Sequence, residues 1–146
     1  MNQLFLALAE ALKSAESDDA VRDAVFISAR SVGQDLSTHL STLALDVAER
    51  VVAGEVNYDE AMRFTADVHS AFLASGEMYD VQGDSVFASV YWALDEGEYG
   101  HEIDGERGPI EARVLPTLRK IIREQNATAS LRASNEGTTE RGTGEK

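Results

Sequence analysis

Apolar residues recur every three or four positions along most of this 146-residue chain. The most regular run consists of Leu36, Leu40, Leu43, Val47 and Val51. This spacing places the apolar side chains on one face of an α-helix, whereas a half-buried strand would need strict alternation. The pattern predicts an all-α fold, an antiparallel helical bundle of about five to six helices around one apolar core.

Capping and helix-breaking residues divide this pattern into segments. Ser17 is suited to cap the second helix, and Gly33 is suited to end it. Asn57 and Glu60 form a variant of the capping box at the start of the fourth helix. Asp84 is placed to cap the fifth helix, so we expect four of the helix boundaries at these residues.

The last helix carries both prolines of the chain. Pro109 is well suited to open it, because the first helical position needs no amide donor. Pro116 lacks a donor and clashes one turn back, which predicts a kink or a short turn followed by a new helix start. From Asn126 onward the residues are polar or small, and the periodic apolar pattern ends. No buried apolar surface can then offset the conformational entropy that the chain would lose on folding. We expect one domain over residues 1–125 and a flexible, disordered polar tail over residues 126–146.

The middle of the chain is strongly acidic. Between Gly54 and Glu106 there are thirteen acidic residues and a single base, Arg63, whereas the flanking parts have eight acids with four bases and five acids with eight bases. One-signed charge attracts basic partners and disfavours nucleic acid and anionic membranes. We therefore expect a basic protein partner, and no direct contact with nucleic acid or membrane. The thirteen acidic residues are Glu55, Asp59, Glu60, Asp67, Glu77, Asp80, Asp84, Asp95, Glu96, Glu98, Glu102, Asp104 and Glu106.

Composition also bears on location. The chain has no cysteine, which fits a reducing compartment. The apolar amino-terminal run lacks a basic n-region, and Glu10 and Lys13 interrupt it, so we do not expect a signal peptide. No apolar stretch approaches the roughly 20 residues that span a bilayer. We expect a cytoplasmic protein.

Two of the three histidines fall inside predicted helices. No nucleophile or paired acid stands beside either of them in the sequence, so neither is a good candidate for a catalytic base. We expect both at the surface or at a helix boundary. They are His39 and His69.

The third histidine, His101, lies among Glu98, Glu102 and Asp104. One imidazole and three carboxylates could hold a divalent cation that prefers oxygen ligands, which leaves a small metal-dependent enzyme as an alternative. The run matches none of the zinc or calcium spacings, and a solvated acidic loop is the favoured interpretation. We therefore expect no catalytic residues, no metal and no cofactor.

Aromatic residues are set into the acidic segment, and such residues commonly anchor protein interfaces. Tyr99 is flanked by Glu98 and two glycines and is difficult to place in a core, so we expect it to enter a pocket of a partner. Trp92 falls off the centre of the apolar face of the fifth helix and should be half exposed. The predicted partner-binding residues are Asp80, Asp84, Asp95, Glu96, Glu98, Tyr99, Glu102, Asp104 and Glu106.

Four short stretches between about Val52 and Ile122 stand out as a set: Val51–Val56 followed by Asp59 and Glu60, Ala93–Tyr99, Glu102–Gly105 and Val114–Leu118. They resemble the colicin D type of bacteriocin immunity protein, a group of small acidic helical bundles that neutralise a nuclease toxin. The immunity proteins of colicin and pyocin DNases also have a tyrosine-containing acidic loop before a final helix, so the resemblance is to a class.

The resemblance implies that the protein binds the catalytic domain of a toxin acting on tRNA or other nucleic acid. Carboxylates would cover the basic cleft of that domain at the places where phosphates lie, and no covalent step would be needed. An alternative, which the sequence does not separate from this one, is a phage-type nucleic-acid mimic that inhibits a host defence or DNA-binding protein. The implied pairing residues are Asp95, Glu96, Glu98, Glu102, Asp104 and Glu106, with Tyr99 as the anchor.

Overall fold

The computed structural model describes the backbone of residues 4–74, 85–98, 105–106 and 108–144, and the side chains of residues 5–73, 85–98, 105–106 and 108–133. Within these residues the chain forms six α-helices, one π-helical turn and no strand, which confirms the predicted all-α helical bundle. None of the described helices is both long enough and apolar enough to cross a membrane. The elements are α1 (Leu4–Lys13), α2 (Asp18–Ser31), α3 (Leu36–Val52), α4 (Tyr58–Ala74), α5 (Val86–Glu96), the π-helical turn (Ile110–Val114) and α6 (Leu115–Gly144).

Side-chain caps start the helices as expected for two of the predicted boundaries. The Ser17 hydroxyl accepts a hydrogen bond from the amide of Ala20 at 3.1 Å. The Asn57 side chain accepts from the amide of Glu60 at 2.8 Å. Each cap satisfies an amide that has no partner within its helix. Gly33 follows the end of α2 with a φ of 67°, a conformation that glycine adopts without strain.

The cap of α5 differs from the prediction. The Ser85 hydroxyl accepts from the amide of Ala88 at 3.1 Å, so Ser85 and not Asp84 is the N-cap. The helix begins at Val86, and a cap must directly precede the first helical residue for its side chain to reach the third amide. Asp84 is one position too early and lies outside the described residues.

Helix α3 packs against every other helix that forms the core, α1, α2, α4, α5 and α6. Four of its five predicted core residues are buried, and the fifth, Leu36, is partly buried. Full burial of one such side chain contributes about 1.5–3 kcal/mol to stability. Phe5 packs edge-on against Phe64 with ring centroids 4.8 Å apart, which joins α1 to α4.

A buried arginine closes the carboxyl end of α3. Arg50 is 6% exposed, and its Nε lies 3.2 Å from both carboxylate oxygens of Asp46. Its Nη1 donates to Glu55 at 3.3 Å, and its guanidinium carbon lies 6.0 Å from the centroid of the Phe5 ring. A buried charge is tolerated when paired and hydrogen-bonded, as it is here. The sequence interpretation did not anticipate this buried charge.

The expected short turn followed by a new helix start is found next to Pro116, because the π-helical turn ends at Val114 and α6 begins at Leu115. The amide of Leu115 donates to the carbonyl of Ile110, which closes the π-helical turn directly before α6. This wider turn accommodates the proline, and Pro116 then falls in the first turn of α6, where no amide donor is needed. Pro109 precedes the turn with a φ of −65° and opens the segment as predicted.

Helix α6 continues to Gly144, well beyond Asn126. Every side chain from Asn126 to Ala133 is exposed, including Leu131 at 65%, so this part of the segment adds nothing to the core. A helix without packing partners is marginal in water. The polar character of the segment is as expected, its helical backbone was not anticipated, and its flexibility stays a prediction.

Candidate protein-binding surface

Helices α4 and α5 pack against each other and share one surface. The Tyr58 hydroxyl at the start of α4 donates to the carbonyl of Leu94 near the end of α5. Further along α4, His69 stacks on Tyr91 of α5 with ring centroids 4.3 Å apart and an interplanar angle of 13°. We call this surface the α4–α5 seam and define it by Tyr58, His69, Tyr91, Trp92, Asp95 and Glu98.

Gly97 allows the ring of Tyr58 to lie against the backbone. A Cβ at position 97 would lie 2.8 Å from Cε2 of Tyr58 and 2.8 Å from Cγ2 of Val114. Both distances are far below normal van der Waals contact. The absence of a side chain at Gly97 therefore fixes how closely α4, α5 and the π-helical turn approach one another.

An open groove of about 560 Å³ lies at one end of the seam. Three carboxylates line it, those of Asp59 and Asp67 from α4 and that of Glu98 after α5, together with one base, Arg63. We call it the acidic groove. Acids from two separate segments therefore meet in one concave surface, whose residues are Tyr58, Asp59, Met62, Arg63, Ala66, Asp67 and Glu98.

The ionisation of Tyr58 shows how closely the acids approach it. Burial raises the pKa of Tyr58 to about 12, and the negative charges of Glu98, Asp95 and Asp59 act in the same direction. A phenolate in this position would be repelled by all three carboxylates. The acids of the groove and of the seam thus form one continuous negative field around a single hydroxyl group.

Asp67 also has a perturbed ionisation. Burial raises the pKa of its carboxyl group, the charge of Arg63 opposes this shift, and the charge of Asp18 adds to it. Arg63, the single base of the groove, therefore compensates only part of the negative charge of the surrounding acids. A cation supplied from outside would relieve this repulsion.

The other end of the seam is aromatic. Trp92 is 51% exposed, as its position off the apolar face predicted. Its ring lies edge-on to Tyr91 with centroids 5.0 Å apart, and edge-on to His69 with centroids 6.0 Å apart. The two inner rings support the indole and leave half of it open to solvent.

The expectation that His39 and His69 lie at the surface or at a helix boundary is wrong for His69, which is buried inside α4. His39 is fully buried, with its ring nitrogens 2.9 Å from the side-chain oxygen of Gln34 and 2.8 Å from the hydroxyl of Ser28. It does lie in the first turn of α3, so its placement near a helix boundary is confirmed. His69 is 7% exposed inside α4 and covered by Tyr91. Polar partners and aromatic stacking from other helices make these buried positions possible.

Burial lowers the pKa of both histidines. The carboxylate of Asp95 opposes this shift at His69 and so lies near that ring. Nδ1 of His69 has no hydrogen-bond partner among the described residues. Both rings are therefore poor proton acceptors, and nothing in the described surroundings forms a catalytic arrangement with them.

The predicted partner-binding residues fall into four groups. Asp95 and Glu98 belong to the seam. Glu96 is engaged within the molecule, because Arg113 donates to its carboxylate at 3.0 Å and to its carbonyl at 3.3 Å. Glu106 is exposed. The remaining predicted residues, and His101 of the metal alternative, lie outside the described residues: Asp80, Asp84, Tyr99, Glu102 and Asp104.

The structure adds two acids that the sequence interpretation did not select. Asp59 and Asp67 belong to the acidic segment, and with Arg63 they recur every four residues. Residues at this spacing lie on one face of a helix, so the pattern was a usable signal. The sequence pattern does not show that Glu98 lies near these two acids, because that proximity results from the packing of α4 against α5.

A second groove of about 640 Å³ lies between α1 and α4. It shares Asp59, Arg63 and Asp67 with the acidic groove and adds two acids, Glu10 and Glu60, of which Glu10 is paired with Lys13 at 3.0 Å. Its charge is thus partly compensated. Among the residues that the structure describes, no group of three or more potential ligands is arranged to hold a metal ion.

Comparisons with protein-family models, with curated proteins and with solved structures gave no match. The fold and surface define an all-α bundle with an acidic and aromatic face. The similarity to immunity proteins noted in the sequence stays a prediction.

Proposed function

We propose that the protein is an inhibitory binding protein that recognises a basic protein partner through the α4–α5 seam and the acidic groove. The observation that carries this proposal is the meeting of Asp59, Asp67 and Glu98 in one groove with a single base. Carboxylates held in a concave surface pair well with lysine and arginine side chains of a partner.

The sign of the field favours a protein partner. The chain carries a net charge of −13, which repels phosphate groups and speeds association with a basic surface. Such steering is screened over about 8 Å at physiological ionic strength. We therefore expect an association rate that falls steeply with salt.

A nuclease toxin is the partner class that fits best. A nuclease must present a basic cleft to hold its polyanionic substrate, and an acidic groove can occupy that cleft as a substitute for the phosphates. The short stretches that resemble bacteriocin immunity proteins support this choice. An immunity protein of this kind would act in the cytoplasm, where the toxin meets its substrate.

The test begins with immobilised full-length protein and a lysate of the source cell. Bound proteins are eluted with salt and identified, and the purified partner is then assayed for nuclease activity with and without the protein. We expect stoichiometric inhibition and an association rate that falls with salt. Capture of a DNA-binding or host defence protein without nuclease activity would instead favour the nucleic-acid mimic.

Charge-neutral variants locate the surface. The triple variant Asp59→Asn, Asp67→Asn, Glu98→Gln keeps side-chain shape and removes three charges from the acidic groove. The matched control removes three exposed acids elsewhere, through Glu16→Gln, Asp23→Asn and Glu49→Gln. We expect the groove variant to lose roughly tenfold or more in association rate and the control to change it far less. Equal effects of the two variants would show that only total charge matters and would refute the proposed surface.

A further inference from the structure

Trp92 is the only tryptophan of the chain, and it is half exposed on an acidic face. Large aromatic side chains in such positions bury 150–250 Å² when covered, which makes them frequent anchors of interfaces. Trp92 belongs to the α4–α5 seam but does not line the acidic groove, so the proposed function does not say which chemical group of the partner it contacts.

The rings beneath Trp92 hold it in place. Tyr91 and His69 both contact it edge-on, and they are stacked on each other. Tyr91 is partly buried and His69 is buried, and a side chain held against two such rings has less rotamer freedom to lose on binding. The indole is thus preorganised to contact a partner.

The nearest acid on the same helix face is Asp95, three residues after Trp92, at the spacing that brings Cβ atoms within about 5–6 Å. Glu96 is one residue further, but Arg113 engages it. No base in the described part of the chain forms an ion pair with Asp95. An exposed indole therefore stands beside a carboxylate that can accept a cation.

We propose that Trp92 binds an arginine side chain of the basic partner, with the guanidinium group stacked on the indole and paired with the carboxylate of Asp95. This inference rests on the proposed function, since it names the chemical group that the partner inserts. Arginine fits better than lysine, because its planar guanidinium stacks on an aromatic face and still presents donors to a carboxylate. The contact is separate from the carboxylates of the acidic groove, so the two can be tested apart.

The single tryptophan is also the reporter. Full-length protein is titrated with acetylated, amidated hexa-arginine while indole fluorescence and acrylamide quenching are followed. Hexa-lysine matches the charge of this probe, and hexa-citrulline matches its shape without the charge. We expect hexa-arginine to bind roughly threefold to thirtyfold more tightly than hexa-lysine and to protect the indole from the quencher. Hexa-citrulline should have no effect.

Variants are measured by calorimetry, which does not need the indole. Trp92→Leu should reduce the affinity for hexa-arginine to that for hexa-lysine, Trp92→Phe should retain part of the preference, and Asp95→Asn should weaken it. The matched control is Ile27→Ala, which trims a side chain that is 59% exposed on α2. Circular dichroism melting curves of all variants identify any loss of folding, and Trp92→Phe remains informative should Trp92→Leu unfold.

Equal affinity of the wild-type protein for hexa-arginine and hexa-lysine would overturn the inference, as would an unchanged arginine preference in Trp92→Leu. In either case the proposed function would still stand if the triple variant of the acidic groove lost partner binding. Conversely, the protein could prefer arginine through Trp92 and still inhibit no basic partner. That result would support arginine binding by Trp92 and would refute the proposed function.

Discussion

The Tyr58 hydroxyl donates to the carbonyl oxygen of Leu94, and this bond holds the first residue of α4 against the last turn of α5. The acids on both sides of this bond, Asp59 and Glu98, thereby line the same groove. The proposed binding surface thus depends on a local packing arrangement that stability measurements can probe without any knowledge of the partner.

Replacing Tyr58 with phenylalanine removes this hydrogen bond while keeping the ring. We expect a loss of about 1 kcal/mol in the free energy of unfolding, the typical net value of one such bond. Urea denaturation at pH 7.5 measures it. A loss below about 0.3 kcal/mol would mean that solvent replaces the bond at no cost.

Alkaline pH should destabilise the protein through the same residue. The pKa of Tyr58 is raised to about 12 in the folded protein, against about 10 in an unfolded chain. The contribution of Tyr58 to stability is therefore fully present below pH 10 and is lost as the pH rises from 10 towards 12. Urea denaturation of wild type and Tyr58→Phe should show a difference in stability that shrinks over this interval. Absorbance at 295 nm should show a late-titrating tyrosine that is absent from the variant.

Gly97→Ala should destabilise the protein by about 1–3 kcal/mol, because the new methyl group would overlap Tyr58 and Val114. The backbone φ of Gly97 is −69°, so the cost comes from space and not from conformation. Thermal melting measures it. In a Val114→Ala background the added cost should be smaller, and a cost equal in both backgrounds would contradict the packing at Gly97.

Acid should destabilise the protein through the two buried histidines. Burial lowers the pKa of His39 and of His69 below the ordinary value of about 6.5, so their contribution to stability is present above that pH and is lost as the pH falls through the folded-state values. Urea denaturation at pH 7.5 and pH 5.5 measures the decline. His69→Phe keeps an aromatic ring against Tyr91 without a titrating group, and we expect a smaller decline in this variant. A decline equal to that of wild type would exclude His69 as a source of acid sensitivity.

Arg50→Leu should be among the most destabilising single changes, costing about 3–5 kcal/mol, because it leaves Asp46 without its buried partner. The double variant Arg50→Leu, Asp46→Leu should recover a large part of this loss. Chemical denaturation of both variants and of Asp46→Leu forms a double-mutant cycle, and additive losses would rule out coupling between the two residues.

The sequence predicted the parts of the fold that depend on spacing within one helix. The apolar residues of α3, the half-exposed position of Trp92 and the caps at Ser17 and Asn57 are set by neighbours three or four residues away. Ser85 and Asp84 are both good caps in adjacent positions, so local chemistry did not decide between them.

Features that join distant segments could not be predicted in this way. The burial of His39 depends on Ser28 in another helix, and the neutralisation of Glu96 depends on Arg113, seventeen positions away. The acidic composition of the middle segment predicted a negative field, but the meeting of Asp67 with Glu98 requires the packing of α4 against α5. Tertiary contact decides which acids remain available to a partner.

The π-helical turn before Pro116 determines how two parts of the molecule are oriented about a common axis. Each residue of an α-helix advances by about 100° around that axis. Deleting one residue from Ile110–Val114 would therefore rotate the preceding part of the chain by about a quarter turn relative to the buried Leu118. The hydrogen bond from Arg113 to Glu96 would then be lost. The number of residues in the π-helical turn, more than their identity, sets the rotational orientation of α6 relative to the end of α5.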